Sequence, residues 1–290
     1  MLNMTEIKGR INSIEQTRKI TKAMQLISTV KMRKAMQKHD QNATYIDLLR
    51  GIIKDILLHR GDIAHPFLEI RKGNRTAFLV IAGDKGLAGP YNSNILNMAL
   101  EHMRNVDEKY IFTVGHMATS FFNRKNHMVD VEFLHTAQNP GLHHARQIAE
   151  VLIDLYTQNH IDKIEILFTD MITSVTQEPK AFTLLPLELE YFADVDVETT
   201  FTGTYEYDPS AETVFDILVP QYIIGIIFSS LVESYACEQF SRMQAMDSAT
   251  ENADKMVSNL RKEYSRARQA SVTNEMIEVA NATNAVVGNL

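Results

Sequence analysis

One cysteine, Cys237, stands in 290 residues, so no disulfide can form within the chain. It lies among helix-forming residues, which reads as a packing thiol in a reducing compartment. Proline is missing from residues 2–58, where only Gly9 and Gly51 interrupt helix-tolerant residues. Between Ile226 and Val287 there is neither Gly nor Pro, so nothing in either stretch stops a helix. The first residues, MLNMTEIKGR, lack the apolar core of a signal peptide. The most apolar run, Tyr222–Val232, is 11 residues long. A spanning helix needs about 20, so no membrane crossing is expected. No G-x-S-x-G motif is present. His143 and His144 are adjacent, roughly 100° apart on a helix, whereas a metal-binding helix needs His at i and i+4. The glycines at 83, 86 and 89 miss the G-x-G-x-x-G spacing, and Lys85 is followed by no hydroxyl residue. A tight turn before a helix is the expectation there. No catalytic residue, cofactor or metal of its own is expected for this chain.

What is present is charge asymmetry and helical periodicity. The net charge is −7, yet residues 1–38 hold nine Lys or Arg against two acids, leaving +7 there and −14 in the remainder. A basic arm on an acidic protein points to an anionic partner surface. Nucleic acid is disfavoured, because the arm has no aromatic before Tyr45, no zinc-ligand spacing and no Gly-rich recognition loop. Apolar residues at Met4, Ile7, Ile11 and Ile14 form a helical stripe. The register is then expected to shift and resume at Ile20, Met24 and Ile27. Near the other terminus the seam is expected at Met246, Ala249, Ala253, Met256, Leu260, Tyr264, Ala267 and Ala270, continuing to Ile277. Helices of about 85 Å and about 115 Å would follow at 1.5 Å per residue, and such helices need a partner. The fold class expected is therefore α/β: an antiparallel two-helix coiled coil from the chain termini plus a central Rossmann-like domain. The domains are expected at 1–60, 70–205 and 209–290. The C-terminal helix should pair with the arm from about Ile226 to Leu260 and outrun it from about Glu263. Pro220 should kink or loosen it nearby.

The middle alternates short strands and helices, the pattern of a largely parallel sheet covered by helices. Strands are expected at Thr76–Ala82, Tyr110–Val114, Met128–Leu134, Lys163–Thr169 and Thr183–Leu187. Helices are expected at Tyr91–Arg104, His116–Arg124 and Leu142–Tyr156.

The arms are specific enough to name a family. Ile7–Ala35 reads IKGRINSIEQTRKITKAMQLISTVKMRKA; Ser241–Met256 reads SRMQAMDSATENADKM; Glu263–Val279 reads EYSRARQASVTNEMIEV. With DKGLAGPYN at Asp84–Asn92, SVTQEPKAFTLLPL at Ser174–Leu187 and YEYDP at Tyr205–Pro209, nearly the whole chain resembles the gamma subunit of the bacterial F-type ATP synthase. The resemblance implies a central rotor shaft, present in one copy, that couples ion flow through a membrane c ring to ATP synthesis or hydrolysis at beta subunits. The implied partners are the alpha and beta subunits, the epsilon subunit and the c ring, at the cytoplasmic face of the cell membrane. The implied hexamer contacts are Lys19, Lys22, Met24, Ala88, Arg242, Arg266, Arg268, Gln269 and Thr273. Tyr205, Glu206, Tyr207 and Asp208 match the foot on the c ring and epsilon. The loop KGLAGPYN departs from the family's KGLCGGLN, and the C-terminus NATNAVVGNL is richer in Asn than the family's small apolar tail. A non-rotating coiled-coil adaptor and an α/β enzyme with a helical stalk are the other readings.

Overall fold

The computed structural model describes residues 4–59, 65–173, 176–195 and 210–287. In chain order the elements are α1 (Met4–His59), β1 (Arg75–Ile81), α2 (Tyr91–His102), β2 (Glu108–Val114), α3 (His116–Arg124), β3 (Val131–Phe133), α4 (Leu142–Thr157), β4 (Lys163–Asp170), β5 (Glu178–Leu185) and α5 (Ala211–Val287). They form two compact units, residues 1–28 with 243–290 and residues 29–242.

The larger unit is built on a five-stranded sheet in the order β3-β2-β1-β4-β5. The first four strands are parallel, and β5 returns antiparallel to β4. The side-chain period of two divides β1 between two cores. Ala77, Leu79 and Ile81 join Ile148 and Leu152 of α4, Ile53 and Ile56 of α1, and Phe215, Tyr222 and Ile223 of α5. Phe78, Val80 and Ala82 face Ile95 and Leu96 of α2 and Phe122 of α3. Both faces of the sheet are thus covered, as continuous runs such as TAFLVIA require.

Two strands differ most from the sequence reading. The last strand begins at Glu178 rather than Thr183, since it pairs with β4 as far as Asp170. The expected Met128–Leu134 strand contracts to Val131–Phe133 at the sheet edge, where only β2 is available to pair. Within this unit α1 and α5 approach closely at Gly225. A Cβ there would lie 2.0 Å from Ile46 Cδ1. Asn42 Nδ2 donates to the Gly225 carbonyl at 3.1 Å and to Ser229 Oγ at 2.8 Å.

The α5 helix passes through Pro220 without a break. It contains an 18-residue window of mean hydropathy 1.8, apolar enough for a membrane span by length and composition. The sequence reading, which counted only an uninterrupted run, missed it. Half of that window is buried in the fold, as for a core helix that is apolar on most of its faces.

The smaller unit is an antiparallel pair formed by the start of α1 and the end of α5. Thr21 and Thr250 hydroxyls meet at 2.8 Å, Gln25 donates to Asp247 at 2.5 Å, Arg18 pairs with Asp254 at 2.5 Å, and Arg261 with Glu15 at 2.7 Å. As α1 numbers rise, α5 numbers fall.

Candidate functional site

The seam of α1 is a seven-residue repeat that never shifts. Ile7, Ile14, Thr21, Ser28, Ala35, Asn42, Leu49 and Ile56 are all buried or half-buried. The α5 seam is equally regular at Met246, Thr250, Ala253, Val257, Leu260, Tyr264, Ala267 and Ser271. Two expectations are corrected here. Ile20 and Ile27 are not in the seam; they are 60% and 55% exposed. Met256 is exposed too, and Val257 takes its place, while Ala270 and Ile277 are also outside. The apolar residues were read as the seam because the true seam positions, Thr21 and Ser28, are polar. Small hydroxyl residues fit a close helix pair, and their bonding needs are met locally: Thr21 and Thr250 bond each other.

The consequence is an outward apolar face. Ile20, Leu26 and Ile27 stand exposed on α1 among Lys19 and Lys22, which are exposed as well. Met24 is half-buried at the edge of the seam. Lys19, Lys22 and Leu26 line a 450 Å³ groove floored by Thr250 and Asp254. A second groove of 670 Å³ runs alongside, with Arg261, Lys262 and Arg266 on its wall. Arg18 bridges to Asp254 and Arg261 to Glu15.

Toward its end α5 outruns α1 somewhat later than expected. Tyr264, Ala267 and Ser271 are still half-buried, so pairing reaches past Glu263. From Val272 to Ala280 every residue is exposed. Arg266, Arg268, Gln269 and Thr273 are all exposed, and the Thr273 hydroxyl donates to the Gln269 carbonyl at 2.8 Å. They lie roughly 30 Å along α5 from the level of Lys19–Met24, at 1.5 Å per residue over about 20 residues. The candidate contacts of this unit therefore form two stations.

The larger unit holds the other two. Residues 82–90 link β1 to α2 at the carboxyl ends of β1 and β4, the switch point where Rossmann-type sheets seat their ligands. Here the chain's own α5 occupies that position. The Glu238 carboxylate lies where a Cβ on Gly83 would meet it at 2.9 Å, Ser234 Oγ accepts from Thr169 N at 3.2 Å, and Cys237 Sγ sits 3.6 Å from the Thr169 carbonyl. Burial raises the Glu238 carboxyl, while Arg242 pulls it back.

Ala88, expected at a partner surface, is 2% exposed and packs with Tyr91 and Cys237. Arg242 is likewise turned inward. It bonds Glu238 Oε1 at 2.5 Å and the Lys85 and Gly86 carbonyls at 3.4 and 3.2 Å. Asn92 holds the other side, accepting from Gly83 N at 2.8 Å and donating to the Lys85 carbonyl at 3.3 Å. What this scaffold presents is Leu87, 67% exposed and at φ +62°. A branched side chain in the left-handed region costs about 1–2 kcal/mol. The sequence reading missed Leu87. Its sign was an apolar residue between turn-forming Gly86 and Gly89. Tyr205, Glu206, Tyr207 and Asp208 lie outside the described residues.

A family model described as ATP synthase matches residues 3–286. The ATP synthase gamma chain of Ruminiclostridium cellulolyticum is 40% identical, covering 98% of this chain and 99% of that one. That of Caldanaerobacter subterraneus is 39% identical over 94% and 97% of the two chains. The chain belongs to the ATP synthase gamma chain family. Its role is that of the family, a non-catalytic rotor subunit of an ATP synthase. The fold agrees with solved relatives. A chain of the Euglena gracilis mitochondrial ATP synthase rotor matches with TM-score 0.66 at 14% identity, covering 93% of this chain and 98% of that one. A chain of the central stalk and c-ring structure from Tetrahymena thermophila matches with TM-score 0.60 at 22% identity, over 79% and 99%.

Proposed function

We propose that the coiled-coil unit is the part of this rotor that turns inside a ring of alternating alpha and beta subunits, while the sheet-bearing unit meets the epsilon subunit and the c ring at the cytoplasmic face of the cell membrane. One copy serves each complex. The observation that carries this reading is the outward face of Ile20, Leu26 and Ile27 beside Lys19 and Lys22. An apolar stripe on a helix whose seam is already filled needs a further surface to cover it. The flanking lysines suit acidic segments of that surface.

Lys19, Lys22 and Met24 then form the lower station against the beta subunits, and Arg266, Arg268, Gln269 and Thr273 the upper one. An arginine at such a station can hold a carboxylate with two parallel hydrogen bonds. Leu87 takes the contact first assigned to Ala88, and Arg242 supports it by holding the loop. The rotor works because one asymmetric surface meets three chemically identical partners, so its contacts differ at each and bias each toward a different state. Tyr205–Asp208 are assigned to the c ring and epsilon by resemblance of the segment YEYDP.

The test is Arg268→Glu with Gln269→Glu in the assembled complex. ATP turnover and torque are expected to fall severalfold, with the helical circular dichroism of the subunit unchanged. Unchanged turnover would remove these residues from the contact set. A static adaptor would differ in a second measurement. Cross-linking the coiled coil to one beta subunit should stop multi-site turnover in a rotor and leave it intact in an adaptor.

A further inference from the structure

Two carboxyl groups face each other in the larger unit, where α1, α5 and the ends of β4 and β5 meet. Asp170 is the last residue of β4, and Glu233 comes from α5. Glu233 takes the backbone N–H of Met171, the residue next to Asp170, which brings the two carboxyl groups within interaction range; their side chains are 15% and 19% exposed. The charged and titratable groups around them are few. From β5, Lys180 Nζ lies 3.0 Å from Asp170 Oδ2. From α1, His39 Nε2 stands 3.8 Å from Glu233 Oε2, beyond hydrogen-bond reach, and its Nδ1 is 3.6 Å from Asp40. After β4, the Met171 backbone N–H donates to Glu233 Oε1 at 3.1 Å. On α5 itself, one turn further along, is the buried Cys237.

Among the described residues, Lys180 is the one permanent cation at these two acids, and His39 adds a charge beside Glu233 only when protonated. Ionised carboxylates are acceptors only, so two of them cannot hydrogen-bond each other. With a proton on one, the pair closes. We propose that Glu233 and Asp170 share a single proton that latches α5 to the carboxyl end of β4, and that losing it loosens this junction. Glu233 is the holder, since Lys180 already neutralises Asp170. Glu233 then donates to the Asp170 carboxylate while accepting from Met171. Its acidity agrees: burial first, and then the bond to Asp170, push the Glu233 carboxyl up to about 8. Burial pushes Asp170 the same way, but the bonds from Glu233 and Lys180 outweigh it and hold Asp170 low.

The sign of the pH effect follows. In the unfolded chain Glu233 ionises near its ordinary 4.5. Between that value and about 8 the folded chain binds one proton more than the unfolded one. The latch's contribution is whole below the lower value, shrinks as pH rises, and is gone above the upper one. The unfolding constant should climb by up to tenfold per pH unit in that window.

The experiment uses the full chain and Glu233→Gln. The glutamine amide still donates to Asp170 and its carbonyl still accepts from Met171, but it cannot ionise. Hydrogen exchange at the Thr169 and Met171 amides, corrected for the intrinsic rate, is followed from pH 6 to 8.5. Opening is expected to rise at least tenfold in the parent and to stay level in Glu233→Gln. A parallel rise in both would overturn the proposal. The carbon-13 signal of the Glu233 carboxyl in the unmodified chain decides the matter even if the variant fails to fold. A midpoint near 8 supports the shared proton, and one near 4.5 refutes it.

Discussion

At the scale of single residues, the sharpest steric constraint lies away from the proposed contacts. Gly73 has no room for a Cβ, which would stand 2.0 Å from Asp162 Oδ2. That carboxylate cannot step aside, because Arg75 grips it with Nε at 2.9 Å and Nη2 at 2.8 Å. Gly73→Ala should therefore cost about 1–3 kcal/mol by breaking the bridge, seen as a lower urea midpoint with an unchanged slope. Leu87 is the converse case, a residue under backbone strain with its side chain in solvent. Leu87→Gly relieves the left-handed strain but frees the unfolded chain, so stability should rise by at most about 1 kcal/mol. ATP turnover of the assembled complex should nevertheless fall. Stability and turnover dropping together would mean that Leu87 is a packing residue.

At the scale of elements, the helices separate pairing from presentation. Ile53 is fully buried, and Ile53→Ala should cost about 2–5 kcal/mol. Ile20→Ser with Ile27→Ser removes side chains that stand more than half exposed, and should change chemical stability by less than about 0.5 kcal/mol per site. The same double change should weaken association with the surrounding subunits, read as a faster dissociation of the complex. A large loss of stability would show that these residues pack within the chain. The cross-helix pairs Arg18–Asp254 and Glu15–Arg261 are solvent-exposed and contribute little energy, at most about 1 kcal/mol each. They mark register more than they hold it.

At the scale of the whole molecule, the acid limb of stability is set by different groups from the alkaline one. The hydrogen bonds from Arg75 hold Asp162 below its ordinary value, and those from Arg50 do the same for Asp194. Folded-state pKa values below the unfolded ones give stability that is present above about pH 4 and lost as pH falls through the lower values. Melting temperature against pH should therefore be a dome, falling on the acid side through these aspartates. Asp162→Asn should flatten the acid limb and leave the alkaline limb in place. The isolated chain should also self-associate, because Ile20, Leu26 and Ile27 lie uncovered. Sedimentation velocity would detect this, and a monodisperse, highly stable monomer would count against a covering partner.

The order of elements, their types and most of their boundaries were legible in the chain, because hydrophobic period and the placement of Gly and Pro are local properties. So were the family and the terminal helices, carried by long and specific motifs. Three things were decided only by tertiary packing. The coiled-coil register runs through Thr21, Ser28 and Thr250, since a close helix pair selects small residues over the larger apolar ones that composition favours. Ala88 and Arg242 turn inward, since α5 fills the switch point of the sheet and needs the loop against it. The Glu233–Asp170 pair joins residues 63 positions apart, and no local pattern reports that two acids will share one lysine in a buried place.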